Sequence, residues 1–104
     1  MIRNIIKTKF SKIDFIDSLI IYNLEFKDNY IYIVGDTVNS SIAFIKYKYL
    51  KKDNALYIFP EYKLTDEKHS NGKFEISIEC SIENTDTIYI KDENFNKQKM
   101  IWNK

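Results

Sequence analysis

The chain is predicted to fold as an all-β, two-sheet antiparallel sandwich, immunoglobulin-like, of 7–8 short strands. Three observations carry this. Residues 73–83 alternate polar and apolar without a break; β-branched and aromatic side chains dominate the apolar set; and polar turn signals recur between short apolar runs. Isoleucine abounds beside eight Tyr and seven Phe, while alanine occurs only at Ala43 and Ala55. Such side chains suit a pleated, half-buried surface, and the strong helix formers are scarce.

The clearest strand runs from Lys73 to Glu83. Phe74, Ile76, Ile78, Cys80 and Ile82 alternate with Lys73, Glu75, Ser77, Glu79, Ser81 and Glu83. One face is buried and one is wet, because side chains along a strand point to opposite sides. Asn71-Gly72 precedes it as a turn signal. Residues 19–27 alternate with Tyr22, Leu24 and Phe26 inward, and Asp28-Asn29 turns them into 30–34 as a hairpin. Residues 42–50 and 55–64 flank Lys51-Lys52-Asp53-Asn54 as a second hairpin. Pro60 lacks an N–H, which sets it at an edge or a bulge. Strands at 87–91 and 99–102 enclose the polar loop 92–97, with Met100 and Trp102 expected on one buried side. Residues 2–10 are a candidate further strand, 14–21 a candidate helical turn, and 63–72 the longest polar loop.

The 104 residues make one domain, residues 1–104, with an apolar fraction of 44% and a charged fraction of 30%. No apolar run approaches a membrane span, and Lys9, Lys12 and Asp14 interrupt any signal-peptide core, so the expected location is cytoplasmic with no membrane partner. The lone Cys80 fits a reducing compartment.

Chemistry-bearing motifs are sparse. His69 is the single histidine, set among Asp66, Glu67 and Lys68 in a polar loop. Cys80 sits on the apolar face between Ile78 and Ile82, where a thiol is packing material rather than a nucleophile. Gly35 and Gly72 are the only glycines, too few for a phosphate-cradling loop, and Gly35-Asp36 reads as a strand end. The expectation is a non-enzymatic chain with no cofactor and no metal.

Two charge patterns remain. Lys46, Lys48, Lys51 and Lys52 interleave with Tyr47 and Tyr49, which resembles a surface for single-stranded nucleic acid. Strand parity, however, turns the tyrosines inward and the lysines outward, so nucleic acid is the lesser expectation. The second pattern is acidic: Glu75, Glu79 and Glu83 on one strand face, followed by Asp86, Asp92 and Glu93. It serves solubility, or it docks a basic protein partner. A basic N-terminus (Arg3, Lys7, Lys9, Lys12) stands against it.

The run Tyr47-Lys48-Tyr49, Ala55-Leu56-Tyr57-Ile58, Asn71 to Ile78, Thr87 to Asp92 and Met100-Ile101-Trp102 resembles small bacterial β-sandwich proteins, many of them lipoprotein-like. The likeness spans roughly residues 42–102 and implies a fold, with no active site attached. The chain departs from the lipoprotein-like members in lacking a signal peptide and a lipid-bearing cysteine. By type it is also similar to immunity proteins of polymorphic and contact-dependent toxin systems. That similarity implies one-to-one binding of a toxin domain, such as a nuclease with a basic cleft, through the acidic residues.

Overall fold

The computed structural model describes residues 14–104, so the candidate strand at 2–10 lies outside the described residues. After a 3-10 turn at Ile16–Ser18 come seven strands: β1 (Leu19–Lys27), β2 (Tyr30–Thr37), β3 (Ile42–Lys52), β4 (Ala55–Leu64), β5 (Phe74–Glu79), β6 (Thr87–Asp92) and β7 (Lys97–Asn103). They form two packed sheets, one in the order β1-β2-β5 and the other in the order β3-β4-β6-β7. The expected all-β sandwich is what the chain adopts.

The inner faces are filled by isoleucine at every second position. Ile31 and Ile33 of β2 lie opposite Ile78 and Ile76 of β5; Leu56 and Ile58 of β4 lie beside Ile88 and Ile90 of β6. All eight are essentially sealed from water. Burying one such side chain stabilises by about 1.5–3 kcal/mol, and branching at Cβ suits the strand backbone. Phe15, Leu19, Tyr62 and Phe74 close one end of this core, with Phe15 and Tyr62 ring centroids 4.8 Å apart.

One ladder corrects the fully antiparallel expectation: β4 and β6 pair in parallel. Parallel neighbours need a crossover, and here residues 65–86 make it. The chain leaves β4, crosses to add β5 beside β2, and returns to lay β6 beside β4 in the same direction. The order β1-β2-β5 matches strands A, B and E of an immunoglobulin sandwich. In the larger sheet, however, β6 takes β4 as its parallel neighbour, where that fold pairs F with C.

The turns follow their chemistry. Asp28 and Asn29 both take positive φ (55° and 65°), as a two-residue hairpin turn requires, and Asp53 (56°) and Asn96 (50°) do so in theirs. Asn71-Gly72 differs from expectation: neither residue has positive φ. Asn71 Oδ1 instead accepts the Lys73 N–H (2.8 Å), and Gly72 is small because the Thr37 hydroxyl crowds it, 2.7 Å from where a Cβ would stand. The loop after β4 is organised by Asp66, whose Oδ1 accepts the N–H groups of Lys68 and His69.

Three β-bulges shift the phase of the alternation: at Tyr22 in β1, at Ile45 in β3 and at Ile101 in β7. The first turns Tyr22 outward, 60% exposed, rather than into the core. The last separates Trp102, opposite the buried Ile88, from Met100, opposite outward Tyr89, so the two do not share a buried side. Pro60 lies within β4, but β6 pairs only with Ala55–Ile58, leaving the strand open on that side at the proline.

Gly35 is not a strand end. It lies inside β2, where an added Cβ would run into the Phe74 ring and stand 2.6 Å from the Ile20 carbonyl oxygen. Gly35→Ala is therefore expected to destabilise the protein by roughly 1–3 kcal/mol through overpacking, read as a lower urea midpoint at unchanged m-value.

Candidate functional site

The six carboxylates singled out from the sequence do not form one surface. Glu75 and Glu79 project from the outer face of β5, exposed as the alternation requires. Glu83 leaves that face. The strand ends at Glu79, and Ile82–Asn84 is a 3-10 turn in which the Thr85 hydroxyl donates to Ser81 O (2.8 Å) and the Asn84 side-chain amide donates to the Ser81 hydroxyl (3.0 Å). Short polar side chains that bond local groups compete with strand pairing. Ile82, expected in the core, is consequently 42% exposed. Asp86 and Glu83 come together instead around Lys104, whose Nζ lies 3.8 Å from the Asp86 carboxylate and donates to Glu83 O.

Asp92 is buried, with 3% of its surface exposed, and so cannot meet a partner. Parity explains it: Asp92 follows Ile88 and Ile90 on the inner face of β6. Its Oδ1 accepts the Asn94 N–H (3.0 Å) to start the β6–β7 turn, and its Oδ2 has no hydrogen-bond partner among the described residues. It borders a cleft of about 250 Å³ with Phe15, Phe59 and Lys91. Nearby, Lys97 Nζ bridges Asp14 (2.6 Å) and Asp17 (3.0 Å), which raises the pKa of that ammonium. Glu93 is exposed but pairs with Lys48 of β3 at 3.4 Å, on the opposite side of the sandwich from Glu75 and Glu79.

What does converge is the outer face of β1-β2-β5. Register places Lys27, Tyr30 and Glu79 in one cross-strand row, Glu25, Tyr32 and Ser77 in the next, and Asn23, Val34 and Glu75 in the third. Tyr30 and Tyr32 are 36% and 37% exposed and stack with ring centroids 6.1 Å apart. Three glutamates therefore surround a solvent-facing tyrosine pair, with Lys27 the one cation among these residues. Glu25 and the two tyrosines were not singled out from the sequence. Their signal was present in the 30–34 alternation, but only strand pairing brings β1 and β5 to either side of them.

The lysine-tyrosine segment divides as parity predicts. Lys46 and Lys48 point outward and pair with Glu61 (3.8 Å) and Glu93, while Tyr47 turns inward and its hydroxyl donates to Ser77 O (3.2 Å). Tyr49, opposite Ile58 but on the edge strand β3, is 50% exposed. His69 Nδ1 lies 3.3 Å from Asp66 Oδ1, and no group of His, Cys, Asp and Glu side chains able to hold a metal ion occurs among the described residues. Cys80 is buried, its Sγ 2.9 Å from the Thr85 hydroxyl. Among the described residues, no helix is long and apolar enough to cross a membrane. Comparison with protein-family models, with curated proteins and with solved structures finds no match to this chain.

Burial is the main cause that raises the Asp92 pKa, with Asp14 adding to it and the Asn94 and Phe95 N–H groups and Lys97 opposing. A carboxyl whose folded pKa lies above its unfolded value favours the native state at low pH. That advantage is lost as pH rises from the ordinary carboxylate range through the raised value. Asp92→Asn should therefore stabilise the protein relative to wild type at pH 7, and the gain should shrink as pH falls through the raised value and be gone below about 4, the ordinary Asp pKa. Urea unfolding of both chains at pH 3 and pH 7 checks the sign.

Proposed function

We propose that this protein is a non-enzymatic binding module that engages a protein partner through the outer face of the β1-β2-β5 sheet. The observation that carries the reading is the exposed Tyr30–Tyr32 stack enclosed by Glu25, Glu75 and Glu79. Tyrosine combines a large apolar surface with a polar tip at small entropic cost, which is why it recurs as an interface anchor. Carboxylates around such an anchor favour a basic partner, steering its approach and penalising acidic competitors. An arginine or lysine of that partner also finds the tyrosine faces available for cation–π contact.

The most specific version of this reading is an immunity protein that binds and neutralises a toxin domain. A toxin that acts on nucleic acid presents a basic cleft to its substrate, and a glutamate-rich sheet face complements such a cleft. The acidic-face reading draws on Glu75 and Glu79 and gains Glu25, without help from Asp92 or Glu93.

The full chain, tagged and used as bait in lysate of its source cells, should retain one stoichiometric protein that elutes with salt. Glu75→Lys combined with Glu79→Lys should weaken that complex roughly ten- to hundred-fold, about 1.4–2.8 kcal/mol, at unchanged melting temperature. Tyr32→Ala should also weaken it. Undiminished affinity in the charge-reversed variant would remove the acidic face as the interface.

A further inference from the structure

The outer face of the larger sheet carries a second, chemically different surface. Register sets Leu50 of β3 opposite Tyr57 of β4, Tyr57 beside Tyr89 of β6, and Tyr89 opposite Met100 of β7. These four residues form one row that crosses every strand of the sheet. Leu50 and Met100 at its ends are 52% and 51% exposed. The interior makes no use of the row, because Leu56, Ile58, Ile88 and Ile90 fill the other face of the same strands.

Four lysines border it, interspersed with Glu61 and Glu93 and, beside Tyr57, with Asp53 and Asp86. Lys48 stands over the Phe59 ring and Lys91 over the Tyr57 ring, each 5.8 Å from the centroid. Lys52 follows Leu50 at the next outward position of β3, and Lys46 precedes Lys48. Lys46 and Lys48 pair with Glu61 and Glu93, while Lys52 and Lys91 have no salt bridge among the described residues.

We infer that this face is a second docking surface, for a protein segment that combines acidic residues with apolar or aromatic anchors. Lys52 and Lys91, which have no salt bridge among the described residues, select against a second copy of the chain seated face to face, since a twofold contact would add like charges there. The ring geometry selects against single-stranded nucleic acid. Tyr57 and Tyr89 stack on each other at 5.4 Å and 11°, and Lys91 stands over Tyr57, so one face of each ring is taken and less ring surface is left for a base. What the row offers is a ridge of Leu50, tyrosine edges and Met100, the apolar centre and charged rim of a protein interface.

The test is a ¹H–¹⁵N titration of the full chain with a random glutamate–tyrosine copolymer, with polyglutamate and with a thymidine oligonucleotide. The copolymer should perturb the amides around Leu50, Tyr57, Tyr89 and Met100 and bind about tenfold more tightly than polyglutamate of equal charge. Leu50→Asp with Met100→Asp should abolish that margin. Should the double variant fail to fold, Lys52→Glu with Lys91→Glu should weaken copolymer binding as well. Equal binding of copolymer and polyglutamate, perturbation centred on Tyr30 and Tyr32 instead, or tighter binding of the oligonucleotide at the same amides would each overturn the inference.

Discussion

The structure depends on two facing blocks of isoleucine and leucine that must hide from water together. Ile31, Ile33, Ile76 and Ile78 form the inner surface of one sheet; Leu56, Ile58, Ile88 and Ile90 form that of the other. Neither block is buried without the other, so the two sheets stabilise one another across the interior. The parallel β4–β6 ladder follows from the same constraint. β5 carries Ile76 and Ile78 and must complete the smaller sheet beside β2, so the chain crosses between sheets before β6 delivers Ile88 and Ile90 next to Leu56 and Ile58. The crossover places every apolar strand over apolar strand.

Strand parity is the part of this that a sequence exposes directly. The alternation in β5 and the Asp28-Asn29 turn were legible because each rests on a local rule, period two in one case and tolerance of positive φ in the other. What stayed hidden is whatever interrupts the period. A bulge adds one residue and reverses which side chains face inward beyond it, and Tyr22, Ile45 and Ile101 carry no residue type that announces one. Met100 was misassigned for that reason. Asp92 was misassigned for the opposite one: its parity with Ile88 and Ile90 was plain, but an acidic residue beside a turn reads as exposed. Ser81, Asn84 and Thr85 did carry a signal, since short polar side chains so close together favour a local turn over a continued strand.

The candidate site was only partly legible because it is a property of pairing. Glu75 and Glu79 were identifiable from β5 alone, whereas Glu25 joins them only through the β1–β2 and β2–β5 registers. The same holds for the row from Leu50 to Met100, whose members are scattered over half the chain and meet through three separate ladders. A formal net charge of +1 conceals this arrangement, because Glu25, Glu75 and Glu79 gather on the outer face of one sheet and Lys46, Lys48, Lys52 and Lys91 on that of the other, offset there in part by Glu61 and Glu93. Averages over a chain lose what a sheet sorts by side.

This sorting also separates the determinants of folding from those of the proposed recognition. On β2, β4, β5 and β6, inward positions are isoleucine, leucine or an aromatic apart from Gly35, Thr37, Pro60 and Asp92, and their replacement acts on stability. Outward positions on the same strands touch the interior little, so Tyr32, Glu79, Tyr57 or Tyr89 can change while the sandwich persists. Aromatic side chains at such positions gain little for the core, and solubility alone is better served by charged or small polar groups. The exposed tyrosine pair on one sheet and the tyrosine row on the other therefore stand out against the cost of keeping them in water. Charged groups border both, mainly acidic on one face and lysine-rich on the other, which supports the proposal that each surface selects a partner.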